Sequence, residues 1–153
     1  MSDAGRDEAR AAAIRLLARR EHTRQELEDK LGRRGYPRGV VADVIEELLE
    51  EGLLDEGRFA EAFVNSRVER GQGPVRIEYE MRQRGVPAHL AREALQALAV
   101  DWREQARAVR RHRFGDRVPA DRREAARQAQ FLQRRGFTAE QVRAAATPAD
   151  EDG

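Results

Sequence analysis

Three segments of this chain are close copies of one another: RRGYPRGVVADVI from Arg33, RQRGVPAHLAREAL from Arg82 and LQRRGFTAEQVRAA from Leu132. In each, a glycine (Gly35, Gly85, Gly136) follows an arginine and precedes an apolar residue, Tyr36, Val86 or Phe137. The three glycines stand about 50 residues apart, a spacing typical of stacked helical units that each bury a face only against a neighbour. A glycine after an amphipathic run is suited to the left-handed conformation that closes a helix. The apolar residue beyond it is placed to pack back on the helix just ended. The repeated turn is therefore a fold device, and it limits the chain to a tandem helical architecture.

Helix signals fill the rest of the pattern. The first helix is expected near 8–20, with Ala13, Ile14 and Leu17 on one stripe. HTRQEL then offers a capping box between Thr23 and Glu26. The next helix carries Leu27 and Leu31 and stops at Gly35. Pro37 suits the start of the third helix, where Val40, Val41, Val44, Ile45, Leu48 and Leu49 form the strongest apolar face of the chain. The cycle restarts with Asp55 as a helix cap, then Pro74 and Pro87 near helix starts, and a third time with Thr138 as a cap. Runs of alternating β-branched residues are lacking. The expected fold is all-α, with three-helix, helix-turn-helix-like repeats at 8–52, 53–99 and 100–147, a frayed N-terminus at 1–7 and an acidic tail at 148–153. Phe59, Phe63, Ile77, Met81, Leu90 and Leu95 are the expected core of the middle repeat.

Composition argues against chemistry. The chain has no cysteine, which removes disulfides and thiolate metal sites. Its three histidines, His22, His89 and His112, have no paired helical spacing and read as solvated or capping residues. Ser2 and Ser66 lack a nucleophile motif, and GQGPVR lacks the Lys-Ser/Thr that completes a phosphate loop, so it reads as helix-start punctuation. EELLEEGLLDE lacks the spacing of an oxygen-ligand cage and reads as a solvated helix face. No catalytic, metal-binding or cofactor-binding residue is assigned, and no enzyme activity or cofactor is expected. The longest apolar runs are too short to span a bilayer and the N-terminus is polar, so a cytoplasmic protein without membrane contact is expected.

The charge is nearly balanced, at +1, but unevenly spread. Residues 41–62 are net acidic and residues 101–143 net basic, and Lys30 is the only lysine among the 29 Lys and Arg. RAVRRHRFGDRV concentrates arginines that can neutralise phosphates. The third helix, by contrast, carries Asp43, Glu46, Glu47, Glu50 and Glu51, which would repel DNA from the place a recognition helix would occupy. Solvated helix faces explain most of the remaining arginines.

The order LLARREHTRQELEDKLGRRGY, then VIEELLEEGLLDEGRFAEAFVNSRVERGQGPVRIEYEMRQRGV, then FLQRRGF closely resembles the RecX family, regulators of the bacterial RecA recombinase. The likeness runs from about Ala9 to Ala146, and its most specific part is the central block. It implies tandem three-helix repeats in an elongated, curved body. It also implies binding to RecA, chiefly in the groove of the RecA–DNA filament, with inhibition of ATPase activity, filament growth and strand exchange. The family offers no catalytic residues to transfer. RecA and its filament are then the expected partners of a monomer, with at most weak, non-specific DNA contact. Arg76, Arg82, Arg84, Arg110, Arg111, Arg113, Arg134 and Arg135 are the candidate partner- or DNA-contacting residues. An autonomous double-strand DNA-binding module and a helical adaptor for another protein are the alternatives.

Overall fold

The structure, a computed structural model, describes residues 3–147. All regular structure among these residues is helical: α1 (Asp3–Arg19), α2 (Arg24–Arg33), α3 (Arg38–Glu50), α4 (Glu56–Glu69), α5 (Pro74–Gln83), α6 (Ala88–Ala97), α7 (Trp102–Phe114), α8 (Arg122–Arg134) and α9 (Ala139–Ala145). They form three successive three-helix repeats, α1–α3, α4–α6 and α7–α9. The middle helix of each runs into one of the arginine–glycine turns.

Local chemistry sets the helix ends. Thr23 accepts a hydrogen bond from the Glu26 amide while the Glu26 carboxylate accepts from the Thr23 amide. Thr138 and Gln141 make the same reciprocal pair, and Asp55, Asp101 and Asp121 each cap with a side-chain oxygen. At the C-terminal ends Gly35, Gly85 and Gly136 take φ of 92°, 101° and 98°. Each turn then closes with two backbone bonds. In the first, Gly35 N–H donates to the Gly32 carbonyl and Tyr36 N–H to Leu31; the equivalent longer bonds run from Val86 to Met81 and from Phe137 to Leu132. The apolar residue after each glycine is thus tied to the helix just completed.

By packing, the chain divides into two compact units. Residues up to 62 join Met81–Ala91 in the first, and Phe63–Glu80 join residues from Arg92 onward in the second. The core of the first unit is built by α1–α3. Ala9, Ala12 and Ala13 let α1 come close to α3, and Leu27, Leu31, Val44, Ile45 and Leu48 are fully enclosed. Each of the larger side chains contributes roughly 1.5–3 kcal/mol relative to exposure. In the second unit Ala106, Leu132, Phe137 and Val142 form the equivalent core of α7–α9, flanked by half-buried Trp102, Val109 and Phe131.

Each unit also contains one joint of the same design. In the first, the Thr23 hydroxyl at the start of α2 donates to the Arg84 carbonyl at 2.6 Å, and the Arg84 guanidinium lies 3.4 Å from Glu26. In the second, the amide of Gly73 at the start of α5 donates to the Arg135 carbonyl at 2.7 Å, and the Val75 amide to Gly136 at 2.9 Å. The approach is so close that a Cβ on Gly73 would stand 2.5 Å from the Gly136 carbonyl, and one on Gly136 would stand 2.3 Å from Arg76 Cβ. Helix starts carry unpaired amides and helix ends unpaired carbonyls. Both joints satisfy the carbonyl, by the Thr23 hydroxyl in the first and by backbone amides in the second, and only the second satisfies helix-start amides as well. GQGP, read from sequence as punctuation alone, is half of such a joint.

Several expectations are corrected. Residues 3–7 are helical rather than frayed, because Arg6 reaches Glu47 of α3 at 2.7 Å and so ties down the first turns of α1. The tail at 148–153 lies outside the described residues. Phe59, Phe63, Ile77 and Met81 are buried, but Leu90 and Leu95 are only half-buried. The apolar stripe of α6 is wide enough that these two sit at its margins, while Ala91 and Ala94 take the enclosed positions. His22 is not solvated. It is 1% exposed, with Nδ1 3.0 Å from the Arg20 carbonyl and Nε2 2.9 Å from Lys30 Nζ.

Candidate functional site: an arginine and phenylalanine surface on the third repeat

The third repeat gathers cations around two aromatic rings. Phe114 at the end of α7 and Phe131 on α8 meet edge to face, with centroids 5.3 Å apart and planes at 84°. Arg113 lies over both rings, 5.4 Å from the centroid of Phe114 and 5.7 Å from that of Phe131. Arg127 lies 5.1 Å over Phe114, and Arg135 lies 5.1 Å over Phe131. Such cation–π contacts hold a guanidinium plane against a ring while leaving N–H groups at its edge for a partner. Beside them runs a groove of about 470 Å³, with Val109 and Phe131 among its apolar residues and Arg70, His112, Arg113 and Arg135 among its polar ones. Arg135 is fixed by donating to the Arg70 carbonyl at 3.0 Å.

Carboxylates temper this surface without cancelling it. Glu104 pairs with Arg111 at 2.9 Å and Arg107 at 3.5 Å, and the hydrogen bond from Arg111 is the main reason its carboxyl is held below the usual range. Glu124 is held down at about 2 by hydrogen bonds from Arg127 and then Gln128. Arg113 is exposed, and among the described residues no carboxylate is paired with it, so its guanidinium edge is open to an anionic partner.

The eight arginines singled out from sequence do not act as one set. Arg76, Arg134 and Arg135 converge on the Gly136 turn, where Arg76 Nη1 donates to the Arg134 carbonyl at 3.4 Å and its Nε to Glu80 at 2.9 Å. Arg111 and Arg113 lie exposed on α7. Arg82 and Arg84 belong to the first unit, where Arg82 is exposed and Arg84 serves the joint with α2. Arg110 is misplaced in that set. It is 4% exposed, and its guanidinium donates to the Arg117 carbonyl at 3.0 Å and to Gln128 Oε1 at 3.4 Å. It organises the α7–α8 connection and offers no surface to a phosphate.

Sequence reasoning passed over Phe114, Phe131, Arg127 and Arg70. The signal was present in the alternation of aromatic and basic residues in RRHRF and in Phe131 and Arg135 at helical i, i+4 spacing. The acidic third helix also proves less available than its composition suggests. Arg6 and Arg10 of α1 pair with Glu47, Arg10 also with Glu51, and Arg24 with Glu46. Among the described residues no cluster of His, Cys, Asp and Glu is arranged to hold a metal ion, and no helix is long and apolar enough to cross a membrane.

Comparison with known proteins places this architecture. Residues 9–48, 55–95 and 101–145 match the first, second and third three-helix domains of RecX in turn. The chain belongs to the RecX family. It is 69% identical over 154 residues to the regulatory protein RecX of Halorhodospira halophila, covering 99% of this chain and 96% of that one. It is 44% identical over 133 residues to the regulatory protein RecX of Pseudomonas fluorescens, covering 87% and 86%. A crystal structure of RecX from Lactobacillus salivarius shares the fold, with a TM-score of 0.80 over 92% of this chain and 94% of that one at 22% identity. The relatives define a regulatory protein with an all-α, three-repeat fold.

Proposed function

We propose that this chain binds RecA and the groove of the RecA–DNA filament, and that it inhibits ATPase activity, filament growth and strand exchange. Membership of the RecX family supports a regulatory role. The observation that carries the mode of action is the exposed Arg113, held between two phenylalanine rings beside a groove with further arginines. A guanidinium so held suits phosphate and carboxylate alike, so one surface can meet the DNA backbone or an acidic patch of RecA. Inhibition then needs no bond-making step: a folded body in the groove excludes the contacts that strand exchange requires. In dilute cytoplasmic solution the free chain is a monomer, and it touches naked DNA only weakly and without sequence preference.

The test is inhibition of RecA's DNA-dependent ATPase across a salt series, comparing the native chain with an Arg111→Ala, Arg113→Ala, Arg134→Ala triple variant. All three residues are exposed, so helicity should be unchanged. Inhibition should weaken and the slope of log affinity against log salt should flatten by up to about 2–3 if all three meet phosphate. Full inhibition with an unchanged slope would reject this surface. Parallel binding to RecA alone, DNA alone and the assembled filament separates the filament reading from a free-standing DNA-binding module or an adaptor for another protein.

A further inference from the structure

The two joints share one rule. The start of a repeat's middle helix docks on the arginine–glycine turn of the repeat that follows it in sequence: Thr23 on Arg84, and Gly73 on Arg135. The first repeat carries the same turn, Arg34–Gly35–Tyr36, but among the described residues no helix start is docked on it. A Cβ on Gly35 would have nothing within 4 Å, whereas one on Gly85 or Gly136 would strike the docked helix start at 2.7 Å or 2.3 Å. A groove of about 690 Å³ lies beside this open turn, lined by Asp29, Gly32, Arg33 and Tyr36 among others. The third repeat holds the complementary element, since α8 begins a middle helix that, among the described residues, has no such turn to dock on.

We infer that the open turn of the first repeat receives the start of α8 from a second copy of this chain, in a head-to-tail contact that repeats the design of the internal joints. The match is specific in residues. α2 begins Thr23-Arg-Gln-Glu26 and α8 begins Asp121-Arg-Arg-Glu124, each with a capping oxygen first and a glutamate three residues on. In the first joint that glutamate, Glu26, pairs with the arginine before the glycine, Arg84. Across copies the same positions are Glu124 and Arg34, again of opposite sign. Asp121 carries a Cβ, as Thr23 does and Gly73 does not, so it follows the wider first joint, with its backbone amide as the donor offered to the Arg34 carbonyl. Asp121, Arg122 and Arg123 are exposed, as are Arg34 and Gly35, so both surfaces are accessible. The donor and receiving surfaces differ, so the contact leaves one of each unused in a pair and can add further copies.

Sedimentation velocity across a concentration series tests the inference, with Arg34→Glu and Glu124→Arg as separate variants. The native chain should sediment faster as concentration rises. Each variant alone sets like charges against each other and should associate at least about tenfold more weakly. An equimolar mixture of the two restores opposite charges at every contact and should regain association, which also shows that both variants are folded. A native chain that stays monomeric at all concentrations would overturn the proposal. So would single variants that associate like the native chain, or a mixture that does not recover. A chain ending at Thr147 should associate normally; loss of association there would assign the groove to the acidic tail instead.

Discussion

Gly35 and Gly136 occupy the same place in their repeats and share nearly the same backbone, with φ of 92° and 98°. An alanine at either position bears the cost of a left-handed residue with a Cβ, about 1–2 kcal/mol. At Gly35 that is the whole cost, because the new methyl meets nothing within 4 Å. At Gly136 the methyl would stand 2.3 Å from Arg76 Cβ and 2.7 Å from Arg76 N, far inside the roughly 3.5–4.0 Å of ordinary contact between carbon atoms. The start of α5 must then move, which adds about 1–3 kcal/mol of overpacking strain and weakens the bonds that Gly73 and Val75 donate. Gly136→Ala should therefore lose roughly 2–5 kcal/mol and Gly35→Ala about 1–2. Urea unfolding followed by far-UV circular dichroism measures the difference, and amide exchange at Gly73 and Val75 locates it. Those two amides should exchange faster in Gly136→Ala and unchanged in Gly35→Ala. Equal losses of stability in the two variants, with both amides still protected, would refute the joint.

Two further outcomes follow from buried polar groups. Arg110→Ala removes the donor to the Arg117 carbonyl and Gln128 and should cost about 1.5–3 kcal/mol in urea unfolding, while Arg111→Ala on the exposed face should stay within about 0.5; equal effects would show that Arg110 is not structural. Burial, then the nearby Arg20 and Lys30 charges, push the His22 pKa below its ordinary 6.5 against the opposing hydrogen bond to the Arg20 carbonyl, so the unfolded chain binds the extra proton first. Stability should be full above about 6.5 and fall as pH drops below it. Glu26 titrates only below its ordinary 4.5: burial raises its pKa, but the bonds from Arg20 and the Thr23 amide outweigh it. The loss between these two limits should accordingly disappear in His22→Gln, as read by melting temperature against pH, and its persistence would clear His22 of the effect.

The repeat architecture was legible because its punctuation is local. The caps of Thr23, Asp55 and Thr138 and the left-handed turns of the three glycines close within a few residues, and the periodic apolar faces of α2, α3 and α8 report their own burial. What sequence could not reveal was long-range. Arg84 and Arg135 read as surface cations, yet their backbone carbonyls hold the joints, and nothing in a side chain's identity announces what its carbonyl will accept. Arg110 looked like its neighbours Arg111 and Arg113, and only the helical phase of α7 against Gln128 sends it inward. His22 lacked a partner in the sequence pattern because Lys30 lies two helical turns away and the Arg20 carbonyl is backbone. The aromatic half of the candidate site was within reach, since Phe131 and Arg135 lie at neighbouring positions on one helical face.

The internal joints also set an order in time. The bond from Thr23 to Arg84 spans 61 residues, and the joint between Gly73 and Arg135 spans a similar length. Closing loops of this length is entropically costly, so these bonds form after the local turns and helices are in place. During synthesis the first repeat can complete its own core while the turn it will dock on is still being made. Each newly emerged turn then locks the helix start laid down one repeat earlier, so the joints of the first two repeats close only after the repeat that follows has been made.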